Sequence, residues 1–251
     1  MTSFLSALSF LSILPGIKNR PLESRMVAHF PLVGLLIGGL LIGVDCIGAM
    51  IFPSPLRCIV DVLFLAVVTG AFHLDGLADS ADGLFSHRPR NRVLEIMKDP
   101  RVGVMGVLVV VFCILLKIGG IDGIGETTLW LWLLIAPALA RSSQVIGLVV
   151  MKDAREGEGI GSVLYQKGNY RTLLVCLIPL SIPFLFNFRT GILALIVFAS
   201  STTALLIYFQ YRIGGMTGDT FGAMTEIVET LLLATGAVEG HIFQSMENTS
   251  F

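Results

Sequence analysis

Residues 103–121 read GVMGVLVVVFCILLKIGGI, an apolar run that contains a single charged side chain, Lys117. A helix needs about 20 predominantly apolar residues to cross the hydrocarbon core of a bilayer. This stretch therefore predicts a transmembrane helix, and six further stretches of the chain have the same character. The seven predicted spans are 26–51, 55–72, 103–121, 128–150, 171–188, 190–209 and 220–238.

The composition of the whole chain agrees with this prediction. Of the 251 residues, 54% are hydrophobic and 14% are charged, whereas about 25% of residues are charged in an ordinary soluble domain. The net charge of −1 excludes a nucleic-acid binder that relies on a basic surface, and the hydrophobicity excludes a disordered chain. We therefore predict an all-α, polytopic helical bundle in the lipid bilayer, with one domain over residues 1–251.

A short helix is predicted before the first span. Serines recur at every third position from Ser3 to Ser12, with phenylalanine and leucine between them. This pattern is typical of an amphipathic helix that lies in the membrane interface. The helix should end at Pro15 and Gly16.

Positive charges distinguish the two sides of the predicted bundle. Thirteen of the 17 lysines and arginines lie in alternate connections, and only Arg57 and Arg189 lie on the other side. The remaining two, Lys117 and Arg141, lie inside predicted spans. Because cytoplasmic loops carry an excess of lysine and arginine, the side with thirteen charges is predicted to face the cytoplasm.

Three carboxylates share one helix face in the segment 73–83. Asp75, Asp79 and Asp82 are spaced by four and three residues, so their side chains lie within a narrow angular range on a helix. Three like charges repel one another, and a bound divalent cation removes that repulsion. Mg²⁺ combines a few carboxylates with phosphate oxygens of a substrate, so we predict three metal ligands. The alternative is a solvated acidic helix start.

Three other residues of the same segment are candidates. Gly76 and Gly83 flank the carboxylates and would allow the close approach either of a ligand or of a neighbouring helix. On a continuous helix His73 would face away from the carboxylates. It could act as a base or a phosphate contact only if the chain breaks near residue 74.

A basic turn is predicted around Pro100, which disfavours a helical conformation for Asp99. A loop or a new helix should begin here, with Lys98 and Arg101 pointing at an anion. Arginine can bind phosphate through two parallel hydrogen bonds, and lysine can neutralise its charge. The alternative is a basic flank that only fixes the orientation of the next span.

Arg141 lies near the middle of the predicted span 128–150. An arginine at this depth costs about 2.5–3.5 kcal/mol on insertion scales, so it should face a cavity or a partner. A functional interpretation places it on the anionic part of a substrate. A structural interpretation pairs it with Asp45 or Asp61.

Two further polar segments lie on the predicted cytoplasmic side. The first, 153–161, is a glycine-rich loop. The second, 214–226, places two acids seven residues apart on one helix face at the entrance to the membrane, which suits the second half of a metal or phosphate site. Asp219 is a catalytic candidate, and the substrate-binding candidates are Gly76, Gly83, Arg155, Gly215, Thr217 and Glu226.

Three blocks of the chain resemble the signature blocks of the cobalamin synthase (adenosylcobinamide-GDP ribazoletransferase) family. They are 73–83, 98–103 and 215–223, and the first is highly specific. The family pattern is expected to have a serine where this chain has Pro100. The opening segment through Pro15, together with Arg141 and the pair Ala154 and Arg155, also fits, so the resemblance covers nearly the whole chain.

The resemblance implies an Mg²⁺-dependent, multi-pass enzyme of the inner membrane. It would transfer the cobinamide phosphate of adenosylcobinamide-GDP to α-ribazole or its 5′-phosphate, giving adenosylcobalamin or its 5′-phosphate and GMP. Asp82, or failing it Asp219, would remove the proton of the attacking hydroxyl. The metal ligands would be Asp75, Asp79 and Asp82, and the catalytic residues Asp82, His73, Lys98, Arg101, Arg141 and Asp219.

Two other functions are alternatives for these residues. A CDP-alcohol phosphotransferase of lipid synthesis also stacks aspartates beside a membrane, but its motif has Ala-Arg soon after Asp-Gly, whereas here Ala78 precedes Asp79. An ion-coupled transporter would use intramembrane acids and glycine-broken helices, but no inverted repeat is visible. The sequence leaves the oligomeric state open, a homo-oligomer included.

Overall fold

The computed structural model describes residues 2–15, 22–156 and 160–248. Regular structure within these ranges is helical, apart from one parallel bridge between Asp153 and Met216, which confirms the all-α class. Two of the thirteen charges of the predicted cytoplasmic side lie in 16–21, outside the described residues. Residues 157–159 of the polar loop also lie outside the described residues. The described α-helices are α1 (Thr2–Leu11), α2 (Phe30–Ile51), α3 (Ser54–Val68), α4 (Phe72–Leu84), α5 (Arg90–Ile96), α6 (Val104–Gly123), α7 (Glu126–Val150), α8 (Leu177–Phe186), α9 (Phe188–Ile213) and α10 (Gly218–Asn248).

The helices confirm a polytopic membrane protein but not seven long spans. Five are long and apolar enough to cross a bilayer: Ser24–Ile51, α6, α7, α9 and Gly218–Ile242 of α10. A sixth crossing results if α3 and α4 count as one span, although they are bent by 88°. The predicted span 55–72 is cut short because Gly70 and Ala71 adopt the left-handed backbone conformation, which ends α3 at Val68.

The predicted span 171–188 is replaced by a 3-10 turn, Tyr170–Cys176, followed by the short helix α8. Pro179 and Pro183 in α8 lack the amide donors that a regular long helix requires. The segment nevertheless connects the two ends of the bundle. The Gly168 amide donates to the Val149 carbonyl near the end of α7, and the Phe186 ring contacts Trp130 near its start, with centroids 5.0 Å apart. The predicted alternation of the connections between two sides is therefore preserved.

The N-terminal helix forms as predicted but is shorter. It ends at Leu11, and the Ile13 amide then donates to the Val68 carbonyl at 2.8 Å. Ala7 and Leu11 are buried, so this helix closes one side of the bundle near the end of α3. The hydroxyls of Ser6, Ser9 and Ser12 donate to carbonyls four residues back within the same helix.

The outer face of α6 consists of exposed apolar side chains. A contiguous apolar surface of this kind is rare on soluble monomers and is expected where a helix faces lipid. By contrast, α7 runs through the centre of the bundle, with Trp132 and Arg141 almost fully buried. The exposed apolar residues of α6 are Val104, Met105, Val107, Leu108, Val111, Phe112, Leu115 and Leu116.

Helix α4 lies at the end of the bundle where α6 and α10 begin, which we call the basic end because the connections 85–103 and 151–170 also lie there. A Cβ atom at Gly76 would be 2.7 Å from the Asp219 carbonyl oxygen, and one at Gly222 would be 3.0 Å from the His73 carbonyl oxygen. These two glycines therefore let α4 and the first turns of α10 approach at backbone distance. The crossing brings the acidic face of α4 next to the start of α10.

Candidate functional site

Four carboxylates lie around this crossing and influence one another electrostatically. Asp75 is exposed on α4, Asp79 and Asp82 are partly buried, and Asp219 begins α10. Burial, together with the charges of Asp75, Asp219 and Asp82, raises the pKa of Asp79 to about 6, while Arg155 lowers it. The shared helix face predicted from the sequence is confirmed. The negative charge of this helix face lies next to one arginine, Arg155.

Asp219 lies where the two polar segments, 153–161 and 214–226, contact each other. The Arg155 guanidinium donates to the Asp219 carboxylate at 2.6 Å. The backbones join as well, because the Met216 amide donates to the Lys152 carbonyl at 2.9 Å. A side chain at Gly215 would collide with that carbonyl. Gly215 thus serves the contact between the segments, and this contact brings Arg155 and Asp219 together.

Thr217 has a local structural role at the start of α10. Its amide donates to the Thr220 hydroxyl oxygen at 2.8 Å, and the Thr220 amide donates to the Thr217 hydroxyl oxygen at 3.3 Å. Such reciprocal bonds satisfy the amides that a helix start leaves without partners. Substrate binding by Thr217 stays a prediction.

Asp82 caps the start of α6. Its carboxylate accepts hydrogen bonds from the amides of Gly103 at 2.6 Å and Gly106 at 2.8 Å. Any side chain at either glycine would collide with the carboxylate. A carboxylate at a helix N-terminus is stabilised by these amides and by the helix dipole. The sequence prediction of Asp82 as metal ligand or base overlooked this role.

No three histidine, cysteine, aspartate or glutamate side chains within the described ranges converge closely enough to hold a metal ion. Mg²⁺ is usually bound by one or two carboxylates together with phosphate oxygens of the substrate. Because Asp82 already accepts two amide hydrogen bonds, Asp75 and Asp79 are the ligands that fit best. The Mg²⁺ site therefore stays a prediction.

The basic turn after α5 is present, as predicted. Arg101 is exposed and donates to the Asp99 carboxylate through Nε at 2.9 Å and Nη2 at 2.6 Å. These hydrogen bonds lower the pKa of Asp99 to about 2. Lys98 is also exposed. An incoming phosphate would have to compete with Asp99 for the arginine.

Arg141 does not pair with Asp45 or Asp61, so the structural alternative named the wrong partner. Its Nη1 donates to the Glu229 carboxylate at 2.5 Å, while Asp45 forms an ion pair with Arg57 at 3.2 Å. Glu229 lies ten residues beyond the first acid of α10, which is roughly 15 Å along a helix. Contact of Arg141 with a substrate at the α4 carboxylates is not supported at this distance.

Glu226 is likewise part of the bundle interior and does not face the candidate site. Lys117 of α6 donates to both Glu226 and Glu229, each at 2.6 Å. These residues and Arg141 form a buried network of two cations and two acids across three helices. Charged groups inside a membrane are expected to pair in this way. The prediction that Glu226 binds substrate is therefore wrong in position, since its partner is Lys117.

His73 faces away from the carboxylates because α4 is continuous from Phe72 to Leu84. Its ring is fully buried, with Nε2 3.2 Å from the Gln144 amide nitrogen. The chain break on which its catalytic role depended does not occur, so that role is corrected to an interior contact.

Gly83 has a packing role, as Gly76 has. A Cβ atom at Gly83 would be 2.6 Å from Met97 Cγ and 3.1 Å from the Val93 carbonyl oxygen of α5. The alternative of helix packing therefore explains both glycines, because the space beside each is filled by the protein itself.

Two arginines that the sequence did not single out join the segments of the site. Arg90 donates to the carbonyls of Ile213 and Ala154, both at 2.7 Å. Arg212 donates to the Leu84 carbonyl at 2.8 Å. Their partners are backbone atoms far away in the sequence. The basic character of the connections is therefore the only sequence signal that could have pointed to these two arginines.

A cavity opens beside Arg155, the partner of Asp219. Arg155, Thr217 and Gly218 line it, and deeper inside its walls are mostly apolar. The basic end thus combines an acidic patch, an arginine bridging to it, and an adjoining apolar cavity.

Residues 3–237 match the family model described as cobalamin-5-phosphate synthase. A relative from Caldanaerobacter subterraneus subsp. tengcongensis, named adenosylcobinamide-GDP ribazoletransferase, is 39% identical over 82% of this chain and 84% of its own length. Relatives of the same name from Geotalea daltonii and Alkaliphilus metalliredigens are 38% and 34% identical, over 92% and 94% of this chain and 95% and 97% of their own lengths. No solved structure matches the chain.

Proposed function

Because this chain belongs to the cobalamin-5-phosphate synthase family, we propose that it transfers the cobinamide phosphate of adenosylcobinamide-GDP to α-ribazole or to its 5′-phosphate. The products are adenosylcobalamin, or its 5′-phosphate, and GMP. The observation that carries this proposal is the meeting of Asp75, Asp79 and Asp219 with Arg155 at one helix crossing. Concentrated acids beside an arginine suit phosphoryl transfer, which depends on positioning and charge stabilisation.

We place the site at the cytoplasmic face of the inner membrane. The connections at the basic end carry most of the lysines and arginines, and the opposite side carries Arg57 and Arg189. The positive-inside bias supports this orientation. Both water-soluble substrates would then reach the site from the cytoplasm.

The donor set at the crossing fits Mg²⁺. Asp75 and Asp79, with Asp219 nearby, supply oxygen ligands, and burial together with the neighbouring carboxylates raises the pKa of Asp79. The ion would neutralise charge on the diphosphate and polarise the phosphorus centre. No all-protein cage is required, since substrate oxygens complete the coordination of Mg²⁺ in such sites.

The protein's own side chains orient the two substrates and move one proton. Arg155 is positioned to bind a diphosphate oxygen in exchange for Asp219. The ribazole hydroxyl oxygen attacks the phosphorus that carries the cobinamide group, and the bond from that phosphorus to the bridging oxygen breaks. The bridging oxygen leaves with GMP. Because Asp82 is engaged as a helix cap, we assign acceptance of the hydroxyl proton to Asp219.

The test uses the full chain reconstituted in lipid nanodiscs. With adenosylcobinamide-GDP, α-ribazole and Mg²⁺, it should form adenosylcobalamin and GMP in equal amounts, measured by chromatography. Without α-ribazole, neither product should appear. Absence of both products in the complete mixture would refute the proposal, and substrate flux into sealed vesicles without GMP release would indicate a transporter.

A further inference from the structure

Two groups of aromatic rings line the cavity beside Arg155. The Phe10 ring is stacked with Phe30 at a centroid distance of 6.0 Å and lies edge-on to Phe72 at 6.1 Å. Tyr165 and Phe221 form a second pair, with centroids 5.8 Å apart. All five side chains border the same cavity. Aromatic surfaces of this kind favour a flat, apolar ring as ligand.

The cavity opens onto the candidate site. Arg155, which borders the cavity, is also the partner of Asp219. The Tyr165 hydroxyl donates to the Met216 carbonyl at 2.7 Å, so that ring is fixed at the wall and its polar group is satisfied. A ligand with its ring inside the cavity would therefore hold an attached sugar near Arg155 and Asp219.

The deep end of the cavity offers little hydrogen bonding. Gln144 lies one helical turn deeper on α7 than Leu148, and both line the space. The Gln144 amide nitrogen donates to Thr225 Oγ1 at 2.6 Å, and Oε1 has no hydrogen-bond partner among the described residues. At this depth one acceptor cannot satisfy guanine, which presents several donors and acceptors, and polar groups buried without partners are costly. The Asp153 carboxylate also lines the cavity, but it already accepts a hydrogen bond from the Arg155 amide at 2.9 Å. A base with few polar groups fits better.

We propose that this cavity binds the aromatic base of the ribazole acceptor and selects for its size, an inference that rests on the proposed function. The base lies between the two aromatic groups, and its ribose lies at the rim beside Arg155. Phe221, Phe10 and Leu148 are then specificity-determining residues on three different helices. The hydroxyl of the acceptor is thereby delivered to the acidic crossing, while the GDP part of the other substrate binds outside the cavity.

The test compares kinetic constants for the two substrates in nanodiscs. Phe221→Leu keeps an apolar side chain but removes the ring, so the KM for α-ribazole should rise about three- to tenfold. The KM for adenosylcobinamide-GDP should stay within about twofold. Phe112→Leu, on the exposed face of α6, is the matched control and should change neither constant.

A second variant addresses size selection and covers the case in which Phe221→Leu folds poorly. Leu148→Phe narrows the cavity from α7, so ribosides of unsubstituted benzimidazole should gain at least about threefold in kcat/KM relative to dimethylated α-ribazole. Equilibrium binding of α-ribazole to both variants, measured by calorimetry, should weaken in parallel with the change in KM.

Two results overturn the inference. Unchanged α-ribazole constants in both variants would show that the base binds elsewhere. A rise confined to the KM of adenosylcobinamide-GDP would assign the cavity to guanine. Failure of the proposed function is distinct, because the wild-type protein would then release no GMP with either riboside.

Discussion

Replacing Glu229 with glutamine should destabilise the protein by about 3–5 kcal/mol, because it leaves a buried cation without its acid. Arg141 is 1% exposed and Glu229 2%, and their atoms are 2.5 Å apart. Lys117 would still pair with Glu226, so the uncompensated charge is that of Arg141. For a chain of this length the loss corresponds to a fall of roughly 6–20 °C in Tm. Thermal unfolding in detergent, followed by circular dichroism, measures it.

Glu226→Gln is the matched control, since Lys117 and Arg141 both retain Glu229 as a partner. Its Tm should fall much less than that of Glu229→Gln. Adding Arg141→Met to Glu229→Gln removes the unpaired cation and should restore most of the lost stability. If the double variant regains stability but forms no GMP, Arg141 contacts substrate after all, and the assignment of a structural ion pair is refuted.

Three other changes probe the basic end. Asp82→Ala should lower the free energy of unfolding by about 1 kcal/mol through loss of the cap on α6; the same loss in a Ser86→Ala control, whose hydroxyl bonds to the nearby backbone of Gly83 and Arg88, would contradict the capping role. Gly76→Val should reduce GMP release at least about tenfold, since the side chain would force α4 from α10; wild-type turnover would show that the close crossing is unnecessary. In a cysteine-free background, His87→Cys should react with impermeant maleimide only from the cytoplasm and Gly123→Cys only from outside, and the reverse labelling would contradict the orientation.

The sequence was sufficient for the fold class and for the angular arrangement on α4. Helical spacing correctly grouped Asp75, Asp79 and Asp82 and correctly turned His73 away from them. It also failed in a definite way at Glu226, which shares a helix face with Asp219 but lies roughly 10 Å deeper along α10. Periodicity gives the direction of a side chain and says nothing about which helix faces it at that depth.

The remaining differences depend on contacts between distant segments. Nothing in the single sequence paired Arg141 with Glu229 in preference to Asp45, because the choice depends on which helices are neighbours. The capping of α6 by Asp82 was hidden for the same reason, because Gly103 and Gly106 follow Asp82 by 21 and 24 residues in the sequence. The lengths of spans 55–72 and 171–188 were overestimated because hydropathy does not register left-handed residues or prolines.

Turnover by charge-neutral variants on the two crossing helices tests the central claim most directly. Asp79→Asn on α4 and Asp219→Asn on α10 should each reduce GMP release at saturating Mg²⁺ by at least about a thousandfold, with Tm close to that of the wild type. Glu126→Gln, an acid at the start of α7 on the opposite end, should retain full activity. Near-normal GMP release by either aspartate variant would contradict a phosphotransfer site at the crossing of α4 and α10.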